Sequence, residues 1–366
     1  MKVFLCGDVM TGRGIDQIFP SSVNPLIHES YVKDARDYIK LAEAVHGPVP
    51  RNVSPHYIWG DCHEVWKRKK PDLKIINLET TITTSGSYAL KKGIHYRMHP
   101  DNVRALKAAD IDVCSLANNH VLDWGSKGLS DTVIHLEENQ ILHTGAGKGP
   151  REAGAPAVCE WQGRRILVFG ICFPSSGVPE SWKASEGNPG VNLLQGLGRN
   201  SLNQFKQTVD DYKWDGDVVI ASIHWGSNWG YEIPPAQVQF AHELIDEVGV
   251  QVIHGHSSHH PRPFEIYKGH PVFYGCGDFF NDYEGIRGYE EYRSDLALMY
   301  FITFSLPFKL ERIEMVCLQI KNFQLSIAQG RDLKWMYETL KKESESFKTS
   351  LILKEDEIIS IPGRDS

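Results

Sequence analysis

Nothing in this 366-residue chain approaches the roughly 18 uninterrupted apolar residues that a membrane-spanning helix needs. Cysteine is sparse: Cys6, Cys62, Cys114, Cys159, Cys172, Cys276 and Cys317 are odd in number, scattered, mostly set in apolar runs, and never in a CxxC pair. That argues against a disulfide framework and for reduced core thiols. Basic residues are outnumbered, 39 Lys and Arg against 46 Asp and Glu, for a formal charge of −7. Apart from Lys67-Arg68-Lys69-Lys70, which reads as the end of a helix, no long basic run occurs, so nucleic acid is not expected as the main partner. The opening residues run straight into Gly7-Asp8 without the apolar stretch or cleavage site of a secretory signal, and a soluble, cytoplasmic protein is expected. Internal repeats and Pro/Ser-rich linkers are also lacking. One domain over 1–366 is therefore expected, with strands and a helix over 286–353 completing the fold and a polar tail at 354–366 that frays.

Histidine, by contrast, is concentrated. The apolar run Val252-Ile253 leads into His254-Gly255-His256-Ser257-Ser258-His259-His260-Pro261, four histidines within seven positions. A β-branched run that ends in glycine and histidines is what a strand delivering metal ligands from its C-terminal end looks like.

Upstream, apolar runs end repeatedly in polar groups of the same chemistry. Residues 2–10 read as a buried strand closing on Asp8, followed by the turn Thr11-Gly12-Arg13-Gly14. Leu73 to Leu78 delivers Glu79, and Ile111 to Ala117 delivers Asn118-Asn119-His120 with Asp123 shortly after. A strand at 217–223 ends in His224, walled by Trp225, Trp229 and glycines. Asp278 follows a later strand and is placed to orient a histidine rather than to bind. Helices are expected near 31–46, 61–69, 101–109, 126–139, 201–211, 235–248 and 331–347, and the Pro-, Ser- and Gly-rich stretch 173–200 as a long loop. Carboxylate, amide and imidazole donors without thiolate suit manganese, iron or zinc in an open hydrolytic site rather than a closed structural one.

The series Gly7-Asp8-Val9-Met10-Thr11-Gly12-Arg13, Asn77-Leu78-Glu79-Thr80-Thr81, Asn118-Asn119-His120-Val121-Leu122-Asp123, Ile223-His224-Trp225-Gly226 and Gly255-His256-Ser257-Ser258-His259 resembles the bacterial poly-γ-glutamate capsule-synthesis family, CapA, of the calcineurin-like metallophosphoesterase superfamily. The motifs stand in family order within residues 1–285. The resemblance implies an α/β fold, a four-layer αββα sandwich of two mixed β-sheets, with one or two divalent ions where strand ends meet. It implies Asp8, Glu79, Asn119, His224, His256 and His259 as metal ligands and His120 as an acid or electrostatic stabiliser, with Asp123 beside it among the catalytic candidates. Met10 stands where the pattern has a ligand histidine, and two residues rather than one separate His256 from His259. The first site is then expected to bind weakly, to use another ligand such as His254, or to stay empty.

The expected substrate is an anionic small molecule, peptide or polymer, with Arg13 and Arg97 holding its carboxylate or phosphate. A γ-glutamyl amide, hydrolysed or transpeptidated, is what the family resemblance suggests; a phosphate ester is what superfamily chemistry suggests. A non-catalytic polymer-binding or assembly subunit is the reading from another class. Oligomeric state is left open by the sequence.

Overall fold

Period-two alternation in the first strand, Lys2–Val9, sends Val3 and Leu5 to one side and Phe4 and Cys6 to the other. A sheet clothed on both faces follows. In this computed structural model, which describes residues 1–90 and 92–362, that strand is central to a ten-stranded mixed sheet. Leu73–Leu78, Val113–Ser115 and Leu142–Thr144 run parallel to one another and to Lys2–Val9 on one side, while Leu296–Ser305 and Lys309–Lys321 continue the sheet antiparallel on the other. A six-stranded sheet has Arg164–Cys172, Val218–His224, Val252–His256 and His270–Phe273 parallel at its centre, with antiparallel strands at both edges.

Three apolar layers define the packing. Val3, Leu5, Ile75, Ile166, Val168, Ile220 and Val252 fill the space between the sheets. Phe4, Cys6 and Ile76 face Tyr38 of Arg36–His46, Trp66 of Cys62–Lys69 and Leu129 of Gly125–Glu138. On the far side, Leu167, Phe169 and Ile223 meet Phe205 of Arg199–Asp210 and Phe240 of Pro235–Glu243. The order is helices, sheet, sheet, helices, so the four-layer architecture is the one observed.

Most expected elements are present, with three physical differences. The helix expected from residue 31 begins at Arg36; the residues before it belong to a loop tied back by the Ala35 N–H to the Pro25 carbonyl at 2.8 Å and closed by the Asp34 carboxylate, which accepts the Arg36 N–H at 2.9 Å. The stretch 173–200 holds short turns and the strand Gly190–Val191, which pairs with Ala146–Gly147. The polar end contributes a strand, Glu357–Ser360, paired with Lys309–Lys321 through a fully buried Ile358; residues 363–366 of that tail lie outside the described residues. No helix among the described residues is long and apolar enough to cross a membrane.

Candidate metal centre

The inter-sheet layer changes character along the strands. In Val218–His224 the positions facing the opposite sheet are Val218, Ile220, Ser222 and His224; in Val252–His256 they are Val252, His254 and His256. The first residues of each series are core, the last polar. Register pairs His224 with His256, and across the gap pairs Asp8 with both Asn77 and Asp278. Asp8 reaches this gap because the ladder shifts register between Leu5 and Asp8, after which Val9 packs on the helical side. Gly7 permits the close passage: a Cβ there would lie 1.6 Å from the Gly277 carbonyl oxygen.

Five expected donors converge. His224 Nε2 lies 3.1 Å from Glu79 Oε1 and 3.2 Å from Asn119 Oδ1, and His224 Nδ1 lies 2.7 Å from His256 Nδ1. Asp8, His224 and His256, all buried, each offer a donor atom within 4.8 Å of the others'. Donors ~2.0–2.2 Å from a shared ion are at most about 4.4 Å apart, so small rotations suffice to close them on a cation. Asn77 Nδ2 donates to both carboxylates, Asp8 Oδ1 at 2.7 Å and Glu79 Oε1 at 3.2 Å, and the Ser257 N–H donates to Asp8 Oδ2 at 3.2 Å.

Protein groups alone leave this arrangement electrically unfavourable. Burial raises the Asp8 carboxyl and Asp278 raises it further; Glu79 is raised by burial, then by Asp8 and Asp278. Burial and neighbouring histidines hold His224 and His256 well below the ordinary imidazole value, so both offer lone pairs near neutral pH. Crowded carboxylates, an amide oxygen and neutral imidazoles form a donor set that a divalent ion satisfies, and the residues present fit such an ion.

A hydrogen-bond chain fixes which nitrogen His256 presents. His254 Nε2 is 2.6 Å from the Cys6 carbonyl, which can only accept, so the Nε2 carries the proton and Nδ1 accepts from the Ser222 hydroxyl at 3.1 Å. The Ser222 oxygen then receives the His256 Nε2–H at 2.9 Å, so Nδ1 is the nitrogen that carries the lone pair, 2.7 Å from His224 Nδ1. Burial holds His254 at about 4, in the neutral form that this chain requires. With both ring nitrogens engaged, His254 orients His256 and is not placed as a ligand replacing a histidine at position 10. Met10 itself accepts the Tyr283 hydroxyl at 3.7 Å.

His259 stands apart from these donors: its Nδ1 meets Asp278 Oδ1 at 2.9 Å and its Nε2 meets Asn228 Nδ2 at 3.1 Å. Burial lowers its pKa, but Asp278 and Asp8 outweigh burial and the net shift is upward. Asp278 thus orients a histidine, and Asn281 in turn holds Asp278 at 2.9 Å.

His120 is organised by Asp123. The carboxylate, held below its ordinary pKa by Lys92 and His120 against the opposing effect of burial, accepts from His120 Nδ1 at 2.7 Å and from the Tyr96 N–H at 2.7 Å. That leaves His120 Nε2 facing Glu79 Oε2 at 3.9 Å. Burial, then the Lys92 charge, brings His120 down to about 4. Lys92 caps the group, bonded to Asp123 and the Asn119 carbonyl and 2.9 Å from His120 Nδ1.

The arginines are placed differently from the expected substrate anchors. Arg13 is buried, pairs with Glu29 at 2.9 Å and with Asp282, meets the Tyr38 hydroxyl at 3.0 Å and stacks on the Tyr38 ring. Arg97 lies 3.6 Å over the Trp124 ring and donates to the backbone carbonyls of Ser85 and Asn24. The Arg13 guanidinium is spent within the protein, and that of Arg97 is held in place by the two carbonyls and the Trp124 ring. Lys92, Asn77 and Ser222 are the neighbours of the centre that sequence reading missed. Ser222 had a signal, standing two residues before His224 on the same strand face; Lys92 had none, arriving on a loop without periodicity.

Comparisons with known proteins agree on one family. The model described as bacterial capsule synthesis protein PGA_cap matches residues 2–283. A Mycobacterium tuberculosis protein described as a "probable polyglutamine synthesis accessory protein" is 44% identical over 365 residues, 99% of this chain and 96% of its own. Capsule biosynthesis protein CapA of Bacillus anthracis is 30% identical over 193 residues, 52% of this chain and 45% of its own. PGA biosynthesis protein CapA of Bacillus subtilis is 26% identical over 228 residues, 62% of this chain and 56% of its own.

Proposed function

This chain belongs to the bacterial capsule synthesis protein family, and from that premise we propose that it is a metal-dependent hydrolase or transpeptidase of a γ-glutamyl amide. The observation that carries the reading is the meeting of Asp8, Glu79, Asn119, His224 and His256 at one gap: donor atoms of Asp8, His224 and His256 lie within 4.8 Å of one another, and His224 Nε2 lies 3.1 Å from Glu79 and 3.2 Å from Asn119. Asp8, Glu79, Asn119, His224 and His256 would hold the ion or ions, manganese, iron or zinc by donor chemistry. Such an ion polarises a carbonyl and lowers the pKa of water from 15.7 towards ~7.

His120 supplies the proton traffic. Asp123 holds the Nδ1–H, so Nε2 is the nitrogen turned towards Glu79, and near neutral pH it is unprotonated. It takes a proton from the attacking water or amine and returns it to the departing nitrogen as the C–N bond breaks. Asp123 steadies the imidazolium between these events, and Lys92 keeps Asp123 ionised. Asn77 holds Asp8 and Glu79 in place, and the hydroxyl of Ser222 fixes the His256 ring. The same groups would serve attack on a phosphate ester.

A second reading draws on the Mycobacterium tuberculosis relative, whose description as an accessory protein favours a polymer-binding or assembly role without turnover. Metal analysis of the purified chain, with assays on a γ-glutamyl amide, a phosphomonoester and a phosphodiester, separates the two. We expect stoichiometric metal, turnover of the amide, and a loss of both in His224→Ala and Asn119→Ala, of at least about a hundredfold in rate. Turnover that survives both substitutions defeats the site; bound metal with no turnover of any substrate supports the accessory role.

A further inference from the structure

A cleft of about 510 Å³ opens beside the centre, lined by His259, whose partner Asp278 sits in register with Asp8. Its size is that of a site for a small organic ligand. On its floor the Trp229 and Tyr289 rings lie face to face, centroids 4.0 Å apart and 4° from parallel, and Trp229 also flanks His259 at 5.2 Å. Tyr289 is half exposed, and the exposed side chains of Tyr31, Val45 and Ile286 continue the apolar wall outward.

Charge on the lining is already balanced. Arg13 is neutralised by Glu29 and Asp282, and Arg293 by Asp295 and Asp332. Glu284 accepts from the backbone N–H groups of Asn322 and Phe323 and pairs with His46. Arg287 is the lining cation without an ion-pair partner within 4 Å among the described residues, and Glu290 lines the same cleft. One free cation answers one anionic group. Successive glutamate carboxylates would meet Glu290 and the already paired Glu284 and Asp295, with Arg287 alone left to answer them.

The geometry points to a substrate whose non-reacting part is apolar or aromatic and bears no more than one anionic group, seated in this cleft with its scissile bond beside His259. A γ-glutamyl amide of an aromatic or aliphatic amine has that shape; a long polyglutamate does not. The assignment rests on the centre being the site of reaction. Its energetic source is desolvation of apolar surface and stacking on the Trp229–Tyr289 shelf.

Uncleavable ketomethylene analogues test binding apart from chemistry. The full chain loaded with manganese is titrated calorimetrically with the analogue of γ-glutamyl-phenethylamide and with that of tri-γ-glutamate. The aromatic analogue is expected to bind about tenfold more tightly, and Tyr289→Ala and Trp229→Ala each to remove most of that preference. Manganese content and circular dichroism of each variant verify that the centre and fold persist; Tyr289, half exposed, is the variant that tests the shelf should Trp229→Ala fail to fold. Equal or tighter binding of the glutamate analogue, no binding of either, or a preference that outlives Tyr289→Ala overturns the assignment. Turnover of the parent amides is measured in parallel. Preference without turnover removes the hydrolytic reading and leaves the cleft as a binding site for a ligand of this shape, whereas turnover without preference removes the cleft assignment and leaves the hydrolytic reading.

Discussion

Ser222 shows how one hydroxyl can govern the tautomer of a candidate metal ligand. It donates to His254 and accepts from His256, so the carbonyl of Cys6, at the other end of the chain of bonds, sets the tautomer of a ring in the opposite sheet. Ser222→Ala breaks that line and lets His256 carry its proton on either nitrogen. Manganese affinity, measured by competition with a chelator, is expected to fall about 10- to 100-fold while the fold is retained. Unchanged affinity would mean that the ring is held by packing alone. Residue identity was legible for Asp8, Glu79, Asn119, His224 and His256 because each ends an apolar run. The fates of Arg13 and Arg97 were not legible, since a guanidinium pairs with whatever acceptors folding brings near, here Glu29, Asp282 and two backbone carbonyls.

Between elements, buried polar bonds substitute for regular pairing. Asp16 heads the turn Asp16–Ile18 and accepts the N–H groups of Val23 and His99, at 2.8 Å each, and Asn102 Nδ2 at 2.7 Å, tying it to the turn Pro100–Asn102. Burial nonetheless outweighs these bonds and raises its carboxyl from 3.8 to about 6. The folded state therefore takes up this proton before the unfolded state as pH falls. The contribution to stability grows as pH falls from about 6 towards 4, by up to ~3 kcal/mol, and is lost as pH rises back through 6. Urea midpoints across that window should show wild type gaining on Asp16→Asn towards acid; a constant difference would refute the shifted carboxyl. Element types were read correctly over most of the chain because alternation and helical periodicity are local. The strand Glu357–Ser360 was not: four residues within a polar tail carry no period of their own, and only pairing with Lys309–Lys321 makes them a strand.

For the whole molecule, the inter-sheet layer both holds the sheets together and aims the donors. Ile220 is fully buried there, two strand positions below Ser222 and four below His224. Ile220→Ala should cost about 2–5 kcal/mol in denaturant unfolding, and a cost under 1 kcal/mol would show that the sheets close over the cavity. The alternation of apolar positions, the polar groups at strand ends and the family motifs are properties of the chain read in order, and they determined the layers and the class of donor at the strand ends. Which donors meet, which arginines are consumed, and how the aromatic cleft meets His259 were decided only by tertiary structure. Those relations join residues far apart in sequence, such as Asn119 with His224 or Arg13 with Asp282, and register, bulge and sheet packing set their distances.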